Sequence, residues 1–232
     1  EAFRVNDTER EKQKRPAATA LDDGGFAVAW TDWAKIDDDV FSSIRMKVFD
    51  ENGSTSGSEQ IVNVTTEAGQ RRPEIDTLSN GNILVTWQDK SDTGENQKNF
   101  DIKGRIFAPD GEPITGEIQA NTTFEGQQKN ASIAVLPEGN FAIAWDTRFP
   151  GEDRPGTQLV QAQLFDAGGN PIGDEIAVRP SVEARAGSPA IAANADGELL
   201  SVMTDRAETG ADMDFSAVRA RVLDAITKQA GD

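Results

Sequence analysis

The stretch "GGFAVAWTD", residues 24–32, comes back three times: as "GNILVTWQD" at 81–89, "GNFAIAWDT" at 139–147 and "GELLSVMTD" at 197–205. Within it Phe26, Val28 and Trp30 alternate with Ala27 and Ala29, the period of two expected of a β-strand. Working outward, the recurrence covers the chain. Trp30, Trp87 and Trp145 are followed by Met203 at steps of 57, 58 and 58, and Phe49, Phe107, Phe165 and Leu223 are 58 apart throughout. Gly53, Gly111 and Gly169 keep the same step, as do Glu59, Glu117 and Glu175. Self-similarity at a fixed period of this length marks a repeat architecture.

Each unit reads as four short strands, a to d. Strand a is "RPAATAL" from Arg15, then "RPEIDTL", "NASIAVL" and "SPAIAAN". Strand b is the opening stretch. Strand c is "IRMKVFD" from Ile44, then "IKGRIFA", "VQAQLFD" and "VRARVLD"; strand d is "EQIVNV" from Glu59, then "EIQANT" and "EIAVRP". The a–b connections "DDGG", "SNGN", "PEGN" and "ADGE" hold Gly at one place, where a tight hairpin needs positive φ. Four antiparallel strands repeated radially describe a β-propeller blade. The expected fold is therefore all-β: one four-bladed β-propeller domain over residues 1–232, with blades at about 15–64, 72–122, 130–180 and 188–232. The fourth unit is completed by residues 1–7, "EAFRVND", in which Asn6 matches Asn63 and Asn121, so the N-terminal strand is expected to close the last blade. The small residues of strand a suit a crowded axis, and 232 residues are four units of 58. A linear fragment of a longer array, or two chains forming an eight-bladed ring, are the alternatives.

With strand a innermost, the b–c and d–a loops share one face. Long loops on a rigid scaffold are where sites usually sit. The b–c loops begin with carboxylates: Asp32, Asp89 and Asp205 two residues after the Trp/Met position, Asp146 one residue after, with Asp37, Asp38, Asp39, Asp212 and Asp214 further on. Such oxygen-rich clusters suit Ca²⁺, which takes six to eight oxygen ligands; the other reading is that they cap turns. The d–a loops are basic, and Lys14, Arg71 and Lys129 share one repeat position, with Gly187 in the fourth unit. A cationic ring at the channel mouth would hold an anion or an acidic sugar. Alternatively these side chains pair with the acidic loops beside them. Trp33 and Phe149 fall in b–c loops outside the alternating pattern; an aromatic there can stack on a sugar ring or cover a blade edge.

Composition narrows the chemistry. Lys plus Arg number 23 against 40 Asp plus Glu, a net charge of −17, which disfavours nucleic acid and anionic membranes as partners. No apolar run approaches the length of a membrane span. There is no His, Cys or Tyr. That removes a Ser-His-Asp triad, a thiol nucleophile, a thiolate or imidazole metal site, and the Tyr nucleophile of sialidase-type propellers. A carboxylate pair or a Lys/Arg-assisted lyase remains for an enzyme.

The unit P-x-I-x-x-L-x-x-G-x-F-x-I-x-W…I-x-x-x-x-F-D-x-x-G-x-x-x-G-x-E-x-x-x-N resembles tandem repeats of large secreted bacterial proteins of the haemolysin-type (repeats-in-toxin) kind. The resemblance covers the whole chain. It implies an extracellular or cell-surface setting, calcium nearby, and adhesion or ligand binding. The nonapeptide calcium arrays of that family are missing, and the fourth unit departs with Met203 for Trp and Leu223 for Phe. The leading expectation is a non-catalytic extracellular binding or adhesion module, monomeric, with a glycan or small anionic ligand on the b–c and d–a face; the periplasm is the other compartment. Its site would use Lys14, Arg71, Lys129 and Trp33, with Ca²⁺ at Asp32, Asp89, Asp146 and Asp205. The alternatives are a polysaccharide-active glycosidase or lyase using loop carboxylates, and a purely structural repeat segment.

Overall fold

The computed structural model describes residues 2–8, 12–33, 41–91, 99–149, 158–179, 184–207 and 217–223. The first unit forms β1 (Gln13–Ala20), β2 (Phe26–Asp32), β3 (Ser43–Phe49) and β4 (Gln60–Ile61). The second forms β5 (Gln70–Thr77), β6 (Ile83–Asp89), β7 (Asp101–Phe107) and β8 (Ile118–Gln119). The third has β9 (Gln127–Val135), β10 (Phe141–Arg148), β11 (Gln158–Phe165) and β12 (Pro171–Arg179); the fourth has β13 (Ala184–Ala193), β14 (Leu199–Ala207) and β15 (Ala217–Leu223). Every unit is an antiparallel meander in chain order, as the strand pattern predicts. One parallel bridge, Gln158 to Arg185, joins the third and fourth sheets. The a–b hairpins turn on the expected glycines: Gly24 and Gly81 have φ of +89° and +84°.

The units stack face to face. Trp87 sits in an apolar layer between blades 1 and 2 with Ala27, Ile44 and Met46, and Trp145 sits between blades 2 and 3 with Leu84, Ile102 and Ile106. Met203 takes the same place between blades 3 and 4. The alternation of the opening stretch therefore serves both faces of each sheet: Trp, Phe and Ile point back to the preceding blade, and Ala and Leu point to the next.

Strand d is held by polar bonds that the repeat encodes. Asn63 Oδ1 accepts from Ile44 N, and Asn121 Oδ1 from Ile102 N, both at 2.8 Å. The repeated glutamate grips the end of the preceding blade. Glu117 accepts from Val64 N, Thr65 N and Thr65 Oγ1 at 2.7–2.9 Å, and from Lys103 Nζ at 3.0 Å. Glu59 does the same for Asp7 N and Thr8, and Glu175 for Thr122 and Thr123.

Closure is where the expectation needs correction. Phe3 to Asn6 do not pair with Ala217–Leu223. They carry no strand and lie on blade 1, where Phe3 packs against Phe26 and Phe49 with ring centroids 6.4 and 5.5 Å apart. Blade 4 has three strands among the described residues, and its β15 is exposed from Ala217 to Val222. The architecture described is thus an open run of four propeller-like sheets. The N-terminal segment keeps the grip of a strand d on the following blade without the ladder to a preceding one.

Two consequences are measurable by chemical denaturation. Trp87→Ala empties a fully buried indole site and is expected to cost about 3–5 kcal/mol. Burial pushes the Glu117 carboxyl up, but the bonds from Thr65, Lys103 and Val64 outweigh it and hold it below its ordinary value. Its stabilising bonds are therefore complete above the usual carboxylate range and lost as pH falls through the lowered value. Glu117→Gln should destabilise the chain at pH 7, and the difference from wild type should vanish in acid.

Candidate functional site

Each inner strand breaks its ladder at one place. Lys14 pairs with Thr31 and Ala17 with Ala29, so Arg15 and Pro16 together oppose Trp30. The same two-against-one count sets Arg72 and Pro73 opposite Trp87, Asn130 and Ala131 opposite Trp145, and Ser188 and Pro189 opposite Met203. These are β-bulges, and the first residue of each is left-handed: φ is +57° at Arg15, +57° at Arg72, +54° at Asn130 and +50° at Ser188. Non-glycine residues in that region cost of order 1–3 kcal/mol each and cluster at functional sites. The bulge turns all four side chains toward a shared cavity of about 520 Å³, lined from β1, β5, β9 and β13.

At its mouth is a second cavity of about 210 Å³, lined by Lys14, Arg15, Trp33, Arg71, Arg72 and Lys129, with Thr31 and Gln88. Lys14, Arg71, Lys129 and Trp33, named from sequence as ligand-binding residues, are thus brought together. No carboxylate among the described residues forms an ion pair with any of the five cations. The ion pairs lie instead on strand c: Arg45 with Asp32 and Glu59, and Lys103 with Asp89 and Glu117. Phe100 braces the pocket from below, with the Arg71 guanidinium 3.9 Å and the Lys129 ammonium 5.3 Å from its ring centre. Burial, then the charges of Arg72 and Arg15, hold Arg71 below its usual value; burial, then Arg71, does the same to Lys129. Arg71, Arg72 and Lys129, each held below its usual value by burial and then by neighbouring cations, make the pocket one that favours an anion. Gln88 is buried to 1 % exposure on the pocket wall, and neither atom of its amide has a hydrogen-bond partner.

The four aspartates proposed as Ca²⁺ ligands do not form one group. Asp32 Oδ2 accepts from Arg45 Nε at 3.0 Å, and Asp89 Oδ2 accepts from Trp87 Nε1 at 3.1 Å. The Asp205 side chain lies outside the described residues, as do Asp37, Asp38, Asp39, Asp212 and Asp214. Among the described residues no three carboxylates gather as a metal site. Phe149 is half-buried and does not line the pocket.

Asp146 differs from the others because it follows its Trp directly. It occupies the strand-b position that is Thr31, Gln88 and Thr204 elsewhere, and so faces the channel. Asn130 Nδ2 donates to its Oδ1 at 2.6 Å, Ser188 N to the same oxygen at 3.4 Å, and Gln158 Nε2 to Oδ2 at 2.8 Å. Asn130 Oδ1 accepts in turn from Arg72 Nη1 at 2.7 Å, which links the carboxylate to the cationic mouth. Burial raises the Asp146 pKa above its ordinary value despite these bonds. The bulge residues and Asp146's distinct orientation were missed from sequence. A proline in an inner strand was the available signal, since Pro within a sheet is confined to edges and bulges.

No protein family and no curated protein matches the chain in sequence. Solved structures match its fold. An α-L-arabinanase of Penicillium chrysogenum complexed with arabinobiose is 14 % identical over 91 % of this chain and 62 % of its own, with a TM-score of 0.59. A GH93 α-L-arabinofuranosidase of Fusarium graminearum with arabinobiose is 12 % identical over 90 % and 62 %, also at 0.59. A polysaccharide lyase, an ulvan lyase bound to -[GlcA(1-4)Rha3S]-, is 9 % identical over 96 % and 58 %, at 0.57. The chain spans less than two thirds of the length of each. The fold they share with this chain is all-β and propeller-like.

Proposed function

We propose that the protein acts on an acidic polysaccharide, seating a uronate or sulfated sugar among Arg15, Arg72, Arg71, Lys14 and Lys129. The observation that carries this reading is the pocket itself: five cations without ion-pair partners among the described residues, on a chain of net charge −17. The amide of Gln88 offers a donor and an acceptor to sugar hydroxyls, and Trp33, 43 % exposed at the rim, offers an apolar face. The comparisons support a glycan, and the charge selects within them: arabinobiose is neutral, whereas -[GlcA(1-4)Rha3S]- is anionic. A polymeric substrate of this kind fits an extracellular setting.

The reaction class these residues suit is eliminative cleavage. Arginines paired with a uronate carboxylate acidify the proton on the adjacent ring carbon. Lys129, whose ammonium gives up its proton more readily because of burial and the charge of Arg71, takes that proton once in its amine form. The bond from the neighbouring carbon to the glycosidic oxygen breaks, a carbon–carbon double bond forms, and protonated Asp146 supplies the leaving oxygen with its proton. Both Asp146 oxygens are already engaged by Asn130, Ser188 and Gln158, an observation that favours a second reading, a binding module in which Asp146 only orients Asn130 and Arg72.

Calorimetry and ultraviolet absorbance on uronate-rich oligosaccharides separate these. Arg72→Ala removes a charge-assisted contact worth about 1.5–3 kcal/mol and should weaken binding by roughly tenfold or more. Lys129→Ala should abolish unsaturated product while binding survives. Binding without unsaturated product leaves the binding module, and no binding to any anionic glycan ends the proposal. Asp146 also sets a pH signature on stability. Its ionisation is harder in the folded chain than in the unfolded one, so stability declines as pH rises above about 4. The denaturation midpoint of wild type should therefore fall relative to Asp146→Asn over that rise.

A further inference from the structure

One cross-strand pair recurs in all four blades, just outside the bulge. Lys14 lies opposite Thr31, Arg71 opposite Gln88, Lys129 opposite Asp146 and Gly187 opposite Thr204. Residues directly opposite in an antiparallel ladder share a face, with Cβ atoms about 4.5–5.5 Å apart. In three of these blades the strand-b member has a structural duty. Thr31 Oγ1 accepts from Arg72 N at 3.1 Å and Asp146 Oδ1 from Ser188 N at 3.4 Å, so blades 1 and 3 each brace the bulge of the blade that follows. Thr204 Oγ1 donates to Gly187 O at 2.8 Å within its own blade.

Gln88 departs from this pattern. It makes no such brace to blade 3. The residue is 1 % exposed, and neither Oε1 nor Nε2 has a hydrogen-bond partner among the described residues. Its amide stands on the wall of the cavity of about 210 Å³, where Arg71 opposite it keeps a buried Nε that is likewise unpartnered. Burying an amide with both polar atoms unpaired is costly to the fold. Threonine stands at the same place in blades 1 and 4 and finds its partner, so packing alone does not call for an amide in blade 2.

The chemistry of the amide defines the group that meets it. Oε1 needs a donor, which neither a carboxylate nor a sulfate has, so the anion itself goes to the cations. Nε2 needs an acceptor. Two adjacent ring hydroxyls supply one of each. The cavity is smaller than the roughly 300–1,000 Å³ of pockets that enclose drug-sized ligands, which suits one sugar ring. We infer, resting on the anionic-glycan reading above, that Gln88 is the specificity-determining residue of this pocket: Arg71 and its neighbouring cations hold the carboxylate of a uronate ring while the Gln88 amide takes two adjacent free hydroxyls of that same ring. The substrate class thereby narrows from anionic sugars in general to uronates with unsubstituted hydroxyls. Acetylation or sulfation of those hydroxyls removes the donor that Oε1 requires.

Calorimetry separates the cases with two probes, an oligosaccharide of 1,4-linked glucuronate and its O-acetylated form, which keeps every carboxylate and lacks the free hydroxyls. The unmodified chain should bind the first roughly tenfold or more tightly than the second, because a site built around a hydroxyl rejects the analogue that lacks it. Gln88→Met keeps the bulk of the side chain and removes both polar atoms. It should weaken the free-hydroxyl probe to the level of the acetylated one and leave the latter unchanged. Gln88→Thr, which borrows the residue of blades 1 and 4, should do the same. Neither variant should lower the denaturation midpoint, since the amide has no partner to lose. Arg72→Ala, by contrast, should weaken both probes alike. Equal binding of the two probes by the unmodified chain, discrimination that survives Gln88→Met, or loss of both probes with a lowered midpoint in both Gln88 variants overturns the inference and leaves the anionic pocket standing. No binding of either probe by the unmodified chain overturns the reading beneath it, and the inference with it.

Discussion

The wedge of a large side chain opposite a bulge is the constraint on which everything else rests. Trp30, Trp87 and Trp145 need room on one side of strand b, and the bulged strand a supplies it by setting two residues where one would stand. The indole fills the layer between blades. The bulge swings its left-handed residue the other way, into the channel. One local irregularity thus packs the scaffold and furnishes the site. The backbone strain of the bulge is held by burial: Trp87 and Trp145 are fully enclosed.

Charge is sorted by layer in the same manner. Arg45, Lys47 and Lys103 on strand c are matched to carboxylates from neighbouring segments, as Arg45 is to Asp32 and Glu59. Cations at the start of strand a are left to face the channel mouth. Repulsion among Arg15, Arg71, Arg72 and Lys129 is tolerated because the aromatic face of Phe100 and the carboxylate of Asp146 offset part of it. A protein of strongly negative net charge thereby concentrates positive potential at one place, where an incoming anion is drawn by the local field.

Much of this was written in the repeat. Strands, hairpin glycines and the order within each sheet follow from alternation and from the steps of 57 and 58, because a period of two and a positive φ are local properties. Lys14, Arg71 and Lys129 could be grouped because repeat equivalence converts sequence position into angular position about an axis. What could not be read depends on long-range geometry. Asp146 looks like Asp32 and Asp89 on paper, yet a one-residue offset in a strand reverses the face, and it meets Asn130 instead of a strand-c cation. Asn6 matches Asn63 by identity, but whether a matching segment reaches its partner depends on the curvature of the whole arc. The loop aspartates at 37–39 fall outside the described residues.

The cationic mouth draws its residues from β1, β5 and β9, one or two from each. A lone unit has neither the pocket nor a way to cover its own apolar faces. Recognition is hence a property of the assembled succession, since the cavity exists only where three adjacent units stand side by side. The fourth unit, where Gly187 stands in place of a cation, contributes no lining residue to the mouth.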